Sequence, residues 1–224
     1  MKPPVITIDW DQAIRIIPHR YPPIDIYERI AEPDEWEILM ELESLTNNQF
    51  RNEIGETCLM MPEKQQLDEE ARGVMAPFCH FDPRQAGRFN STEFGAYYAA
   101  IDFDTAFRES LFHMENFYRD TDDPPLYADF RAYAGPIRAA LHDLRNGYEI
   151  LHEADANLDG YSRNQAFTQE LYEADSLGLL YNSVRNPGGQ CLAILNPTVI
   201  PPPEVHTHLR YHWDGQRIDK YFNF

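Results

Sequence analysis

The spacing of apolar and polar residues changes several times along the chain, and each change marks an expected element. In "DTAFRESLFHMENFYR", helical angles of about 100° per residue gather Ala106, Phe107, Ser110, Leu111, Met114, Phe117 and Tyr118 on one face. Arg108, Glu115 and Arg119 point the other way, toward water. Glu109, His113 and Asn116 form a third stripe along one edge of the apolar face, neither core nor open surface. This predicts a helix over 104–119, capped by Asp104 or Thr105. Just before it, "AYYAAI" (96–101) reads as a buried strand, and "YADFRAYAG" after it alternates as a strand. Ser162, Arg163, Asn164 and Gln165 have capping-box spacing, which predicts a helix to about Asp175 with Gly178 as its C-cap.

"GLLYNSV", "QCLAIL", "VHTHLRYHW" and "RIDKYFNF" follow as successive strands. Toward the N-terminus, "AIRIIPHRYPPIDIYERI" alternates and then breaks at Pro22 and Pro23, giving a short strand and an extended segment. "PDEWEILMELESLTN" predicts a helix with Pro33 in its first turn, and "RGVMAPFCHFDPRQAGRFNSTEFG" is rich in turn residues. Helices mix with strands in no strict βαβ rhythm and there is no internal repeat. The expectation is one mixed α+β domain over 1–224, with a proline-rich N-terminal elaboration over about 1–86.

Composition narrows the function classes. Asp and Glu number 37 against 19 Lys and Arg, a formal charge of −18, so phosphate backbones are repelled and direct nucleic-acid binding is not expected. An anionic ligand would need a few local arginines working against the overall field. Cys58, Cys79 and Cys191 are odd in number and never in a C-x-x-C pair, which argues for a reducing cytoplasm over a disulfide framework or zinc site. No run approaches the roughly 18 apolar residues of a membrane span.

Two motifs lose to plainer readings. "DANLDG" (155–160) opens like a calcium loop, but position 9 is Arg163 and position 12 is Ala166 where a bidentate acid belongs; a polar turn is expected. His206, His208 and His212 would share one side of a strand, yet no carboxylate or cysteine is evident nearby, and zinc binding is the minority reading. No metal is expected.

Glu109 and His113 alone would be an ordinary i, i+4 pair worth a few tenths of a kcal/mol. Other polar residues converge on them. Arg88 lies in the turn before "YYAA", and "LYNSVRNPGGQC" delivers Ser183 at a strand end. In their order and spacing, "GRFN", "YYAA", "TAFRE" with its following histidine, and "LYNSVRNPGGQC" resemble the RES-domain proteins, named for an arginine, a glutamate and a serine. The resemblance covers about residues 87–196, and "IRIIPHRYPP" fits the family's arginine-containing start.

The resemblance implies an ADP-ribosyltransferase-like split sheet with surrounding helices. It also implies a bacterial toxin of a toxin–antitoxin pair that consumes NAD as its substrate, by phosphorolysis, hydrolysis or ADP-ribosyl transfer to a protein. It makes Arg88, Glu109 and Ser183 the catalytic group. Arg20, Arg88, Tyr98, His113 and Ser183 become NAD-binding residues, with Arg15 competing for the place of Arg20. The stretch between Arg20 and Arg88 is longer than in compact members, and "STEFGA" lacks the lysine that some members carry before the tyrosine. The phosphate contacts are therefore expected to differ. The implied partners are a companion antitoxin with a DNA-binding domain and, for transfer, an acceptor protein; a homodimer is left open.

The chemistry gives these residue types reasons. Loss of nicotinamide develops an oxocarbenium-like cation, which a carboxylate at Glu109 can stabilise. The leaving group departs neutral without a general acid. Tyr98 can stack on the nicotinamide ring, and Arg88 with Arg20 can fork a diphosphate. Ser183 suits a hydrogen-bond anchor better than a nucleophile, and His113 can orient Glu109. A noncatalytic nucleotide-binding or scaffold module on the same fold is the competing reading.

Overall fold

A computed structural model of the protein describes residues 2–18, 77–78, 87–91, 93–152 and 161–224. The expected Pro33 helix, the extended segment around Pro22, Arg20, Cys58, Cys79 and the 155–160 loop lie outside the described residues. The described residues form a mixed α+β fold: a seven-stranded sheet with two α-helices and two short 3-10 turns.

The strands are β1 (Val5–Pro18), β2 (Tyr97–Ala100), β3 (Leu126–Asp143), β4 (Gly178–Asn182), β5 (Gln190–Ile194), β6 (Glu204–Trp213) and β7 (Ile218–Asn223). The helices are α1 (Phe103–Asp120) and α2 (Ser162–Glu173). Sheet order is β1-β2-β5-β4-β3-β6-β7, and β1 also pairs with β3. β1, β2, β5, β4 and β3 therefore close a ring, from which β6 and β7 extend. All strand pairs are antiparallel except β3 with β4, whose parallel crossover is carried through α2.

The division of the sheet has a local cause. β3 pairs with β6 up to Ala134 and with β4 only at His142 and Asp143. Between them lie Gly135 and Pro136, and Pro136 has no N–H to give a ladder. On the facing strand the register slips between Trp10 and Ala13, an extra β1 residue accommodated as a bulge. One long strand thus serves two wings.

Alternation decides which residues meet. On β2, Tyr97 and Ala99 pack with Leu180, Leu192, Ile194 and Ile137 in one core cluster. Tyr98 and Ala100 face the opposite side with Tyr181, Cys191, Ala193, Phe89 and Ala106. That second side is the one covered by α1 and α2. β4 and β5 are buried almost throughout, which explains their unbroken apolar reading.

Three boundary expectations are corrected. α1 is capped by Asp102, whose carboxylate accepts from the Thr105 N–H at 2.7 Å; Asp104 instead pairs with exposed Arg108. Ser162 is the first residue of α2 and Tyr161 stands at the cap position without a side-chain capping bond, so the capping box is not formed. α2 ends through Asp175 in the left-handed region (φ 57°). The Asp175 and Ser176 N–H groups return to the Tyr172 and Leu171 carbonyls, a Schellman close, and Gly178 begins β4. Glu115 also departs from its expected place in water: its Oε1 accepts from the Ile218 N–H at 2.8 Å, tying α1 to β7.

Candidate active site

The "GRFN" turn is held at several points of its backbone. The Asn90 side chain accepts from the Gly87 N–H at 3.1 Å. The Tyr98 hydroxyl accepts from the Phe89 N–H at 2.8 Å and donates to Asn90 Oδ1 at 2.9 Å. From α2, Gln165 donates to the Gly87 carbonyl at 3.0 Å. A Cβ on Gly87 would lie 2.2 Å from Asn90 Oδ1 and 2.9 Å from the Tyr98 hydroxyl, so glycine is required by the close approach. Phe89 is fully buried, edge-on to Tyr181 at 4.8 Å. Arg88 is left between these anchors, 8% exposed, its guanidinium 5.5 Å from the Tyr161 ring centre. Its Nη1 is buried without a hydrogen-bond partner.

Glu109 and Ser183 meet from opposite directions, 74 residues apart in sequence. Ser183 Oγ donates to Glu109 Oε1 at 2.6 Å. The same oxygen accepts from the N–H groups of Arg185 and Asn186 at 3.1 and 2.9 Å. A hydroxyl has one proton and two lone pairs, so all three are committed. Ser183 is built as a donor that fixes a carboxylate, and its lone pairs are not free for attack on a substrate.

The loop carrying Ser183 is docked on the first turn of α1. Asn186 donates to Thr105 Oγ1 at 2.9 Å, and the Gly189 carbonyl accepts from the Ser183 N–H at 2.9 Å. A Cβ on Gly189 would come within 2.5 Å of Thr105 Oγ1. Thr105, expected as a cap, is instead the fully buried post on which this loop rests.

Around the pair lies a connected set of ionisable groups. Cys191 Sγ is 4.0 Å from Glu109 Oε1; burial pushes its thiol pKa up, Glu109 adds to this and Arg88 opposes it. Burial likewise keeps Tyr181 protonated, with contributions from Cys191, Glu109 and Tyr98 against Arg88. The Tyr98 hydroxyl is raised by burial, opposed by its Phe89 hydrogen bond and Arg88. His113 has open surface but is crowded by atoms. That crowding lowers its pKa, opposed by Glu109 and aided by Arg185 and Arg88; water at its open side screens the effect. Arg185 stacks on Phe112, 3.4 Å from the ring centre.

The structure thus gathers Arg88, Tyr98, Glu109, His113 and Ser183 into one neighbourhood. Arg15, the alternative to Arg20, donates to the Tyr98 carbonyl at 2.9 Å and lies over Tyr97. Tyr181, Cys191 and Arg185 belong to the cluster and were not expected. Period 2 from Ser183 leads to Tyr181, and the β4–β5 register pairs Tyr181 with Cys191, so alternation within "LYNSVRNPGGQC" carried that signal. The histidines of β6 take separate partners: His206 lies near Phe103, His208 stacks on Phe224, and His212 pairs with Asp219. No metal-holding group of three or more His, Cys, Asp or Glu occurs among the described residues, and no helix among them is long and apolar enough to cross a membrane.

Comparison with known proteins places the chain. It is 28% identical over 218 residues to uncharacterized protein y4oC of Sinorhizobium fredii (strain NBRC 101917 / NGR234), covering 96% of this chain and 88% of that protein. A chain crystallised in the MbcT-MbcA toxin-antitoxin complex of M. tuberculosis superposes with a TM-score of 0.41 at 15% identity, covering 69% of this chain and 91% of that one. A family model for the RES domain matches residues 66–214, a span holding Arg88, Tyr98, Glu109, His113 and Ser183. The chain belongs to the RES domain family.

Proposed function

We propose that the protein consumes NAD by cleaving the nicotinamide–ribose bond and acts as the toxin of a toxin–antitoxin pair. The observation that carries this reading is the 2.6 Å bond from Ser183 to Glu109 Oε1. It fixes one carboxylate oxygen and leaves Oε2 without a hydrogen bond among the described residues. A carboxylate so oriented can accept from a ribose hydroxyl and stabilise the cation that develops at the anomeric carbon. Arg88, buried with an unpartnered donor, supplies the positive charge that an anionic dinucleotide needs on a chain of charge −18.

In this reading Tyr98 offers its ring, since its hydroxyl is spent on the "GRFN" turn. Arg20 or Arg15 completes the diphosphate contacts from the N-terminal side. His113 stands one turn beyond Glu109 as its neutral neighbour. The acceptor of the ADP-ribosyl group is a protein, phosphate or water. The protein works in the cytoplasm as a single domain with an elaboration over about 1–86, restrained by a companion antitoxin with a DNA-binding domain.

Mass spectrometry of the products formed from NAD, with and without phosphate and cell lysate, tests the chemistry. Free nicotinamide should appear, and the form taken by ADP-ribose identifies the acceptor. NAD left intact under all these conditions overturns the enzyme. For the toxin, expression alone should arrest growth and the neighbouring gene product should restore it; a harmless lone protein removes that part of the reading.

A further inference from the structure

One neighbourhood beside the Glu109 cluster contains two buried polar atoms with no hydrogen-bond partner: Arg88 Nη1 and His152 Nε2. Buried polar atoms are nearly always satisfied, so two orphans close together call for a missing partner. They are close enough for the Arg88 charge to lower the His152 pKa, second only to burial.

Their placement is set by one turn of α2. Asn164 donates to the Leu151 carbonyl at 2.7 Å, fixing the residue before His152. The next residue, Gln165, donates to the Gly87 carbonyl, fixing the residue before Arg88. Tyr161, at the start of the same turn, lies 5.5 Å from the Arg88 guanidinium. Adjacent residues of one helix therefore bring together two segments that are far apart in sequence, Gly87–Asn90 and the 3-10 turn Glu149–His152.

The chemistry of the two atoms defines what fits between them. Burial and the Arg88 charge lower the His152 pKa, opposed by Glu149 and the Tyr148 backbone. In a neutral imidazole whose ring proton sits on Nδ1, Nε2 presents a lone pair that needs a donor. Arg88 Nη1 needs an acceptor. A bare phosphate oxygen would answer only the arginine. A hydroxyl answers both, donating to the imidazole and accepting from the guanidinium.

We propose that Arg88 and His152 form a subsite that reads one ribose hydroxyl of the substrate. This rests on the NAD reading and adds His152 as a specificity-determining residue. It also gives Arg88 a sugar contact in place of a purely phosphate one.

The test is calorimetric titration of the full chain with ADP-ribose and with a panel of ADP-ribose analogues, each lacking a single ribose hydroxyl. His152→Met removes the acceptor at nearly constant volume, and His152→Gln keeps an acceptor at similar reach, so a packing defect affects both variants alike. For wild type, one analogue should bind about tenfold more weakly than ADP-ribose, the loss expected for one buried hydrogen bond. His152→Met should bind ADP-ribose that much more weakly and should no longer distinguish that analogue, while His152→Gln recovers most of the discrimination. Equal losses across the panel in wild type and His152→Met overturn the subsite and leave a trapped water as the bridge. No binding of any probe to wild type also overturns it. NAD turnover by wild type is read separately. Turnover with a failed panel removes only this inference, and a successful panel without turnover removes only the enzymatic reading.

Discussion

Glu109 and Arg88 reach the same neighbourhood from two sides, and the protein treats them in opposite ways. The glutamate is anchored at its carboxylate: a hydroxyl with every valence committed holds Oε1 in place. The arginine is anchored at its backbone, where Gly87, Phe89 and Asn90 are all pinned, while a side-chain donor is left without a partner. In the NAD-cleaving reading proposed above, orientation matters for Glu109 because it faces a developing cation, and pre-set donors avoid reorganisation during the reaction. In the same reading Arg88 grips the ligand, and it gains more from having a donor in reserve. The two halves divide positioning from binding.

Replacing Glu109 with Gln is the severest way to break that division. It keeps size and the acceptor oxygen but removes the charge, so NAD turnover should fall by about 10²–10³-fold while the melting transition stays cooperative. Near-native turnover would take Glu109 out of the chemistry. Ser183→Ala should come next. It frees the carboxylate and strips the Arg185 and Asn186 N–H groups of their acceptor, costing about 1–3 kcal/mol of stability, measurable by urea unfolding. In steady-state kinetics it should lower kcat more than it raises KM, since it disturbs orientation.

Tyr98→Phe sharpens the other half. The ring remains, and the loss is the hydroxyl that braces the Arg88 turn. KM for NAD should rise several-fold with a smaller change in kcat, and leaving the Phe89 N–H unpaired should destabilise the fold by about 1–3 kcal/mol. An unchanged KM would show that the turn does not need this brace.

The smallest effect concerns His113. Crowding lowers its folded pKa below the unfolded value of about 6.5, so the unfolded chain takes up the proton first. Its contribution to stability is complete above about 6.5 and is lost as pH falls toward the lowered folded value. His113→Gln should therefore show a slightly flatter melting temperature between about pH 7.5 and about pH 5.5.

The sequence made the elements around this site legible where local pattern decides. "YYAA" and "QCLAIL" are buried strands because both of their faces are apolar, and the α1 stripe of Glu109 and His113 followed from angle alone. The pairing of Glu109 with Ser183 was expected only through motif order, since nothing local connects residues 74 positions apart. The caps were misplaced because several polar residues compete at each helix start. Asp102 won over Asp104 and Thr105 because Thr105 is consumed by Asn186. Arg185 escaped notice because its stacking on Phe112 joins a loop to a helix face, a contact that no periodicity encodes. His152 stayed invisible for the same reason: its value lies in what it lacks.

The pairing of β1 with β3 bears on when the molecule can first act during its own synthesis. The Pro3 carbonyl and the His142 ring it meets are 139 residues apart. At about 5–20 residues per second, a ribosome needs roughly 7–28 seconds to deliver the second after the first. The opening strand must wait that long for its partner. The loop that orients Glu109 is made later still, after the helix bearing the carboxylate has already emerged. A partially translated chain therefore holds the glutamate without its serine, and the Glu109–Ser183 pair is completed late in elongation. On the toxin reading proposed above, that order leaves an interval in which a restraining partner can bind a nascent, still unarmed product.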